Sequence, residues 1–203
     1  MSVIRVRFDD VLVYSEPMKD REFQKFRKHH QWCLDMPETF YPTAAILCSE
    51  IQAFPEAVEY VRTELDAGRL YIDLHGWEHI DYTKLSQKEI EEHLDKSFEY
   101  LLKEFNCLPV RWATPWGANS ESIQLACRKY GLTWEGVTDP VVDQGPASAK
   151  VHETQTVECL RGKVIMVHWF ERGLKLYRIV QTAKYGTWDE AAADQPELFK
   201  DSK

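Results

Sequence analysis

Apolar and polar positions along the chain recur with two different periods, one typical of strands and the other typical of helices. Short apolar runs that favour strands occupy residues 3–8, 43–48, 70–74 and 109–112. Each run is followed by a segment in which apolar residues return at helical spacing, over residues 19–34, 55–68, 86–106 and 123–130. This repeated strand–helix alternation predicts an α/β fold with a parallel sheet.

Three further short strands are predicted later in the chain, at residues 132–137, 156–160 and 163–167, with a long irregular loop over 138–153. A total of seven strands is compatible with an open doubly wound sheet or with a barrel. A complete eightfold barrel takes about 250 residues. A chain of 203 residues therefore predicts a barrel that is small or one unit short, and without a linker or repeat we predict one domain over residues 1–203.

The composition argues against several classes of partner. A formal net charge of −8 and a pI near 5.4 oppose binding to a phosphate backbone, so no nucleic-acid partner is expected. No apolar run approaches the ~20 residues of a membrane span, and the first strand begins without a signal peptide before it. The five cysteines are scattered without a Cys-x-x-Cys pair, which is typical of free thiols. We therefore expect a cytoplasmic protein with no membrane partner.

Side chains suited to catalysis follow two of the predicted strands. Asp9 and Asp10 end the first strand, and a His-Gly-Trp-Glu-His segment containing His75 and His79 follows the third. Because the carboxyl ends of parallel strands share one edge, these side chains are expected on the same rim. One carboxylate with two imidazoles is a usual ligand set for catalytic zinc, which makes Asp10, His75 and His79 the candidate ligands.

A neighbouring base and a proton donor complete the predicted chemistry. A bound metal ion lowers the pKa of water towards ~7, so that Asp9 can take the proton at neutral pH. Adjacent residues of an extended segment point to opposite sides, which allows Asp10 to bind metal while Asp9 faces water or substrate. His168 ends the strand predicted at residues 163–167 and can protonate a departing amine.

A second metal motif competes for the same histidines. The segment from His75 to His79 also spells His-x-x-Glu-His, the inverted zinc-protease signature, which requires both histidines on one helix. Gly76 and the strand pattern before it oppose a helix at this point. The protease interpretation is therefore the less favoured alternative.

Four motifs, at residues 8–10, 75–79, 111–117 and 167–168, occur in an order that resembles the polysaccharide deacetylase family, the family 4 carbohydrate esterases. The resemblance spans residues 4–170. It implies a deformed (β/α) barrel and hydrolysis of an N-acetyl group from a sugar. It also implies one divalent metal ion, usually zinc, with Co²⁺, Ni²⁺, Mn²⁺ or Fe²⁺ as alternatives. By motif, Asp9 matches the catalytic base, Asp10, His75 and His79 match the metal ligands, and His168 matches the catalytic acid.

The chain departs from the family pattern at several points. Arg7 and Val11 flank Phe8, Asp9 and Asp10 where the family usually has Thr and Gly, and Gly76 stands where it usually has Ser or Thr. The third family motif has one residue between Arg and Pro, whereas three lie between Arg111 and Pro115. Arg111 and Pro115 are kept as candidates for the substrate side of the site, and the Trp116 backbone N–H is a candidate donor to an oxyanion.

Two functional hypotheses follow. The first is a metal-dependent hydrolase that removes an acetyl group from an N-acetylated sugar or glycan, or cleaves another small amide. The second, from a different class, is a degenerate barrel that binds glycan without turnover, motivated by the altered Arg111 region. In either case the expected partner is a carbohydrate or small amide, and no sequence pattern sets an oligomeric state.

Overall fold

The computed structural model describes residues 4–11, 18–35, 40–135 and 164–167. Within these residues the chain forms one parallel sheet of six strands in the order β5-β4-β3-β2-β1-β6. The strands are β1 Ile4–Val11, β2 Phe40–Leu47, β3 Tyr71–Gly76, β4 Arg111–Ala113, β5 Thr133–Glu135 and β6 Val164–Val167. The prediction of a parallel α/β sheet is confirmed, while the strand predicted at 156–160 and the loop predicted at 138–153 lie outside the described residues.

The helices follow the strands as the sequence predicted, with one short addition. They are α1 Met18–Leu34, α2 Cys48–Ile51, α3 Pro55–Asp66, α4 Gln87–Phe105 and α5 Glu121–Tyr130, and single 3₁₀ turns cover Tyr82–Lys84 and Pro115–Gly117. Local signals set several ends: Ser86 and Glu89 form a capping box at the start of α4, and Gly131 ends α5 in the left-handed conformation. The short helix α2 follows β2 directly and was not predicted. No helix among the described residues is both long and apolar enough to cross a membrane.

A contact between distant strands shows that the sheet is curled. Three strands separate β1 from β5 in the sheet order, so a flat sheet would hold them roughly 19 Å apart at ~4.8 Å per strand. Yet Nη1 of Arg7 on β1 lies 2.8 Å from Oε2 of Glu135 on β5. The described strands therefore form a strongly curled, half-barrel sheet, consistent with a deformed (β/α) barrel, which confirms the predicted fold class.

The two faces of β1 bury different chemistry. Val6 and Phe8 point to the helix side, where the Phe8 ring meets the edge of Phe26 on α1 at 5.3 Å between centroids. Arg7 and Asp9 lie on the opposite face, inside the curled sheet, and are 2% and 1% exposed. The core between sheet and helices is thus apolar, whereas the interior of the barrel carries ionised groups next to its carboxyl rim.

Candidate active site

Both predicted motifs lie where a strand gains one extra residue. From Phe8 to Val11, β1 advances three residues while its partner β2 advances two, so a bulge falls at the Asp9–Asp10 step. On β3 the same irregularity falls at His75, between Leu74 and Gly76. Bulges redirect side chains and are common beside active sites. The side chain of Asp10 lies outside the described part of the structure, so the separate directions of the two acids stay a prediction.

Asp9 is buried and held by Arg7, which precedes it by two residues on the same face of β1. Nε and Nη2 of Arg7 donate to the two carboxylate oxygens of Asp9 at 2.6 and 2.8 Å. The third group, Nη1, donates to Glu135. Burial on its own lowers the pKa of an arginine, yet the carboxylates of Asp9 and Glu135 raise the pKa of Arg7 above its ordinary value. Arg7 is therefore a permanent buried cation beside the candidate base.

Arg111 contacts a different carboxylate. Its Nη1 donates to Oδ1 of Asp73 at 3.3 Å, and its Nε lies 3.6 Å from Oε1 of Glu135. Glu135 thus stands between the two guanidinium groups. The sequence motif pointed to Arg111 as a site residue, whereas Arg7, Asp73 and Glu135 were not predicted at the site. An available signal was the spacing of Arg7 and Asp9, since residues two apart on a strand share a face.

The structure brings the two predicted histidines together. Their rings lie 5.4 Å apart between centroids, and His75 is 1% exposed. Nδ1 of His75 lies 2.5 Å from the carbonyl oxygen of Ala113 on β4, and because a carbonyl can only accept, Nδ1 carries the hydrogen. Nε2 is then the ring nitrogen that can bind a metal ion, in the orientation that such carbonyl contacts give to ligating histidines.

The segment between the histidines is not helical. The chain passes from β3 into a bend at Trp77 and reaches its first 3₁₀ turn only at Tyr82. An inverted zinc-protease motif needs both histidines on one helix, so this geometry contradicts the protease alternative.

The backbone of Gly76 explains why this position lacks the usual Ser or Thr. Gly76 has φ +147°, and a Cβ built there would lie 2.6 Å from the hydroxyl oxygen of Tyr82. That hydroxyl accepts a hydrogen bond from the Trp77 backbone N–H at 3.0 Å, and the Tyr82 ring meets Trp112 edge-on. Burial raises the pKa of Tyr82 above its usual range, so the hydroxyl stays protonated. Tyr82 therefore fills the space beside Gly76 and, through its hydrogen bond from the Trp77 N–H, holds the start of the segment that leads from His75 to His79.

Trp116, in the turn that follows β4, packs against His79. The 3₁₀ turn that begins at buried Pro115 places Trp116 in the left-handed region, with φ +54°, which is uncommon for a residue other than glycine. Its side chain is 65% exposed, and its ring lies 4.4 Å from the ring of His79 between centroids. Nε1 of Trp134 donates to the carbonyl of Ala118 at 3.0 Å and so holds the turn that carries Trp116. The rim thus presents one aromatic surface next to a candidate ligand, while the role of the Trp116 N–H towards an oxyanion stays a prediction.

The residues fit a divalent metal ion as far as they are described. Among the described residues, no three His, Cys, Asp or Glu side chains are grouped as a metal site. The third predicted ligand is Asp10, whose side chain is outside the described part of the structure. His75 and His79 supply two imidazoles, and β1 carries Asp10 one residue beyond Asp9. On the far side of β1, strand β6 pairs in parallel with Val167 opposite Phe8. His168, the next residue in the sequence, lies outside the described residues.

Comparison with known proteins is consistent with this geometry. Residues 28–134 match the model of the family described as Polysaccharide deacetylase, a range that does not include Asp9, Asp10 or His168. No curated protein matches the chain.

Several solved structures share the fold. A family 4 carbohydrate esterase from Streptomyces lividans, in complex with acetate, is 18% identical with a TM-score of 0.61, over 90% of this chain and 88% of that one. The peptidoglycan deacetylase PdaC from Bacillus subtilis is 17% identical with a TM-score of 0.60, over 100% and 98% of the two chains. A CE4 family pseudoenzyme from Bacillus anthracis is 14% identical with a TM-score of 0.59, over 92% and 62%.

Proposed function

The chain belongs to the polysaccharide deacetylase family, and from this premise we propose that it is a metal-dependent hydrolase that removes an acetyl group from an N-acetylated sugar or glycan. The observation that carries the proposal is the meeting of His75 and His79 at the rim where β1 presents a buried, arginine-bound Asp9. Two imidazoles and an adjacent acid pair at the carboxyl ends of parallel strands suit hydrolysis of an amide.

Each residue of this chain has one task in the proposed reaction. Asp9 accepts a proton from the water that attacks the acetamide carbonyl, and His168 donates a proton to the amine as the C–N bond breaks. His75, His79 and Asp10 hold a divalent ion that supplies Lewis acidity when it is bound. The carbonyl of Ala113 fixes the ring of His75 for that purpose.

The donor set favours zinc over the other candidate metals. Imidazole nitrogen with one carboxylate oxygen is typical of catalytic zinc, and the same set also accepts Co²⁺, Ni²⁺, Mn²⁺ or Fe²⁺. Oxygen-rich sites that suit Mg²⁺ or Ca²⁺ differ from this one because two of its three donors are nitrogen.

A carbohydrate substrate is supported by the rim and by the neighbours. The exposed Trp116 ring offers a flat apolar surface next to His79, suited to the apolar face of a sugar. One structural neighbour is a peptidoglycan deacetylase and another is a domain of a multidomain xylanase. We therefore propose an N-acetylated sugar or oligosaccharide as the substrate class.

A second candidate function is glycan binding without turnover. It is favoured by the pseudoenzyme among the neighbours and by the altered Arg111 region, in which the Arg111 guanidinium donates to Asp73. In this case the metal ion and the aromatic rim would remain while the base is inactive.

Acetate release with metal control tests the proposal. We expect the purified chain to hold about one metal ion and to release acetate from N-acetylglucosamine oligomers, with activity lost to a chelator and restored by Zn²⁺. Asp9→Asn should lower kcat by about 10²–10⁴-fold, while Glu64→Gln, in a distant ion pair, should leave it unchanged. Full activity in metal-free protein would refute the proposal. Thermal stabilisation by the oligomers without any acetate would favour the binding function.

A further inference from the structure

The strand that carries Asp9 sets the face on which its side chain lies but not the plane of its carboxylate. Asp9 lies at the β1 bulge, where regular alternation of side chains is interrupted. Arg7 precedes the bulge and lies in the regular part of the sheet, opposite Thr43 of β2 on one side and Met166 of β6 on the other. The backbone of Arg7 is thus fixed from both sides, whereas that of Asp9 is at the irregular end of the strand.

The guanidinium of Arg7 is held at three points. Two of its N–H groups meet the two oxygens of Asp9, and the third meets Oε2 of Glu135 across the barrel. A planar fork bound at all three nitrogens cannot rotate without losing a charge-assisted hydrogen bond. The plane of the Asp9 carboxylate is therefore set by a group that β1 and β5 hold together.

Arg111 is occupied on the other side of Glu135. It donates to Asp73, and its remaining ion pair is with Glu135. Ala113 stands two residues before Pro115, the place at which the resembled motif has its arginine, and a methyl group cannot bind a carboxylate. The cation beside the base thus comes from β1 and not from β4.

We propose that Arg7 is the positioning residue for the general base Asp9, with Glu135 as the anchor that keeps the Arg7 guanidinium in place. This inference rests on the proposed function. A carboxylate oxygen has two lone-pair sites, so each oxygen of Asp9 can accept from Arg7 and still face a water molecule. Arg7 therefore acts through Asp9, to which it donates two hydrogen bonds, and through its anchor Glu135.

Arg7→Lys tests the proposal, because it keeps the charge and removes the fork. We expect kcat for acetate release to fall by about 10- to 100-fold, the size of effect that follows from a misplaced catalytic group. KM and the metal content per chain should stay within about threefold of wild type, since lysine leaves the rim and His75 and His79 untouched. A structural role alone would not separate kcat from KM in this way.

Arg69→Lys is the matched control. Arg69 makes the same two-pronged contact, with Nε and Nη2 donating to the two oxygens of Glu64 at 2.7 and 2.9 Å, but away from the site. We expect this variant to keep wild-type kcat. The proposal is overturned if Arg7→Lys also keeps wild-type kcat, or if its activity falls only in proportion to its folded fraction or its metal content. A wild-type chain that releases no acetate would overturn the proposed function and this proposal together.

Discussion

Two arginine–carboxylate pairs of nearly the same geometry occur in different surroundings. Arg7 binds Asp9 through two hydrogen bonds of 2.6 and 2.8 Å inside the barrel, and Arg69 binds Glu64 through two of 2.7 and 2.9 Å near the end of α3. Both side chains of the first pair are 2% exposed, whereas Arg69 is 49% and Glu64 11% exposed. The two-pronged geometry is shared, so the pairs differ in their burial and in the additional hydrogen bond from Arg7 to Glu135.

Because it is buried, the interior pair of Arg7 and Asp9 is expected to affect the stability of the fold more than the surface pair of Arg69 and Glu64. Removing two charges from water is costly, and the pair repays that cost only while both partners are present. In the surface pair Glu64 is mostly buried but the Arg69 side chain is half-exposed, so losing the contact costs less because water reaches the Arg69 guanidinium. The hydrogen bond from Arg69 lowers the pKa of Glu64 despite partial burial, so this pair still holds its carboxylate ionised. The same two-pronged contact therefore orients the Asp9 carboxylate inside the barrel and, near the surface, links the end of α3 to the turn that follows it.

The largest expected effect is the loss of the interior cation. Arg7→Met should lower the free energy of unfolding by about 3–5 kcal/mol, because it leaves Asp9 and Glu135 as buried carboxylates without this partner. Arg69→Met should lower it by much less. Urea unfolding of the two variants, followed by circular dichroism at neutral pH, measures both changes. Similar losses in the two variants would contradict the assigned role of burial.

A smaller effect concerns pH, because the surface pair has a titratable neighbour. Nε2 of His30 donates to the carbonyl of Arg69, and Nδ1 accepts from the hydroxyl of Tyr60. Burial lowers the pKa of His30 below its ordinary value of 6.5, so the unfolded chain takes up this proton first. Stability should therefore be complete above pH 6.5 and fall as the pH drops below that value.

His30→Gln is the variant that isolates this effect. Glutamine keeps polar groups near Tyr60 and Arg69 but does not titrate, so the slope of stability against pH just below pH 6.5 should flatten. Glu64 contributes only at lower pH, since its lowered pKa lies below 4.5. Unfolding midpoints measured in urea across this range check the prediction. An unchanged slope in His30→Gln would assign the pH dependence to another group.

The smallest effect is the response to salt. At about 1 M salt the Debye length falls to ~3 Å, which screens exposed charges and leaves buried pairs almost unaffected. The stability difference between wild type and Arg69→Met should therefore shrink as NaCl is added, while the difference for Arg7→Met stays constant. Thermal melts at low and high NaCl measure both differences. A salt-dependent Arg7→Met difference would mean that water reaches the interior pair.

Local pattern predicted much of the fold and the position of the candidate site. The capping box at Ser86 and the helix end at Gly131 were readable because each depends on residues a few positions apart. The placement of Asp9, His75 and His79 on one rim followed from strand order in a parallel sheet. Here the period of the apolar residues was enough, since it fixes where each strand ends.

Local sequence patterns could not predict contacts between residues that are far apart in the sequence. Arg7 and Glu135 are 128 positions apart, and no local pattern marks them as a pair. The bulges that carry Asp9 and His75 depend on how each strand aligns with its neighbour. For the same reason Arg111 was the arginine that the motif suggested, although in the folded chain its guanidinium donates to Asp73 on the neighbouring strand β3.

The sequence by itself determined most of the described strands and helices and the identity of the acids and imidazoles at the rim, because these depend on short-range periodicity and on residue chemistry. Only the tertiary structure decided which cation holds Asp9 and why Gly76 must be glycine beside Tyr82. Both depend on distances across the curled sheet or between a strand and a following turn. Those distances are fixed when the chain packs, since the curvature of the sheet and the space around each side chain are properties of the whole fold.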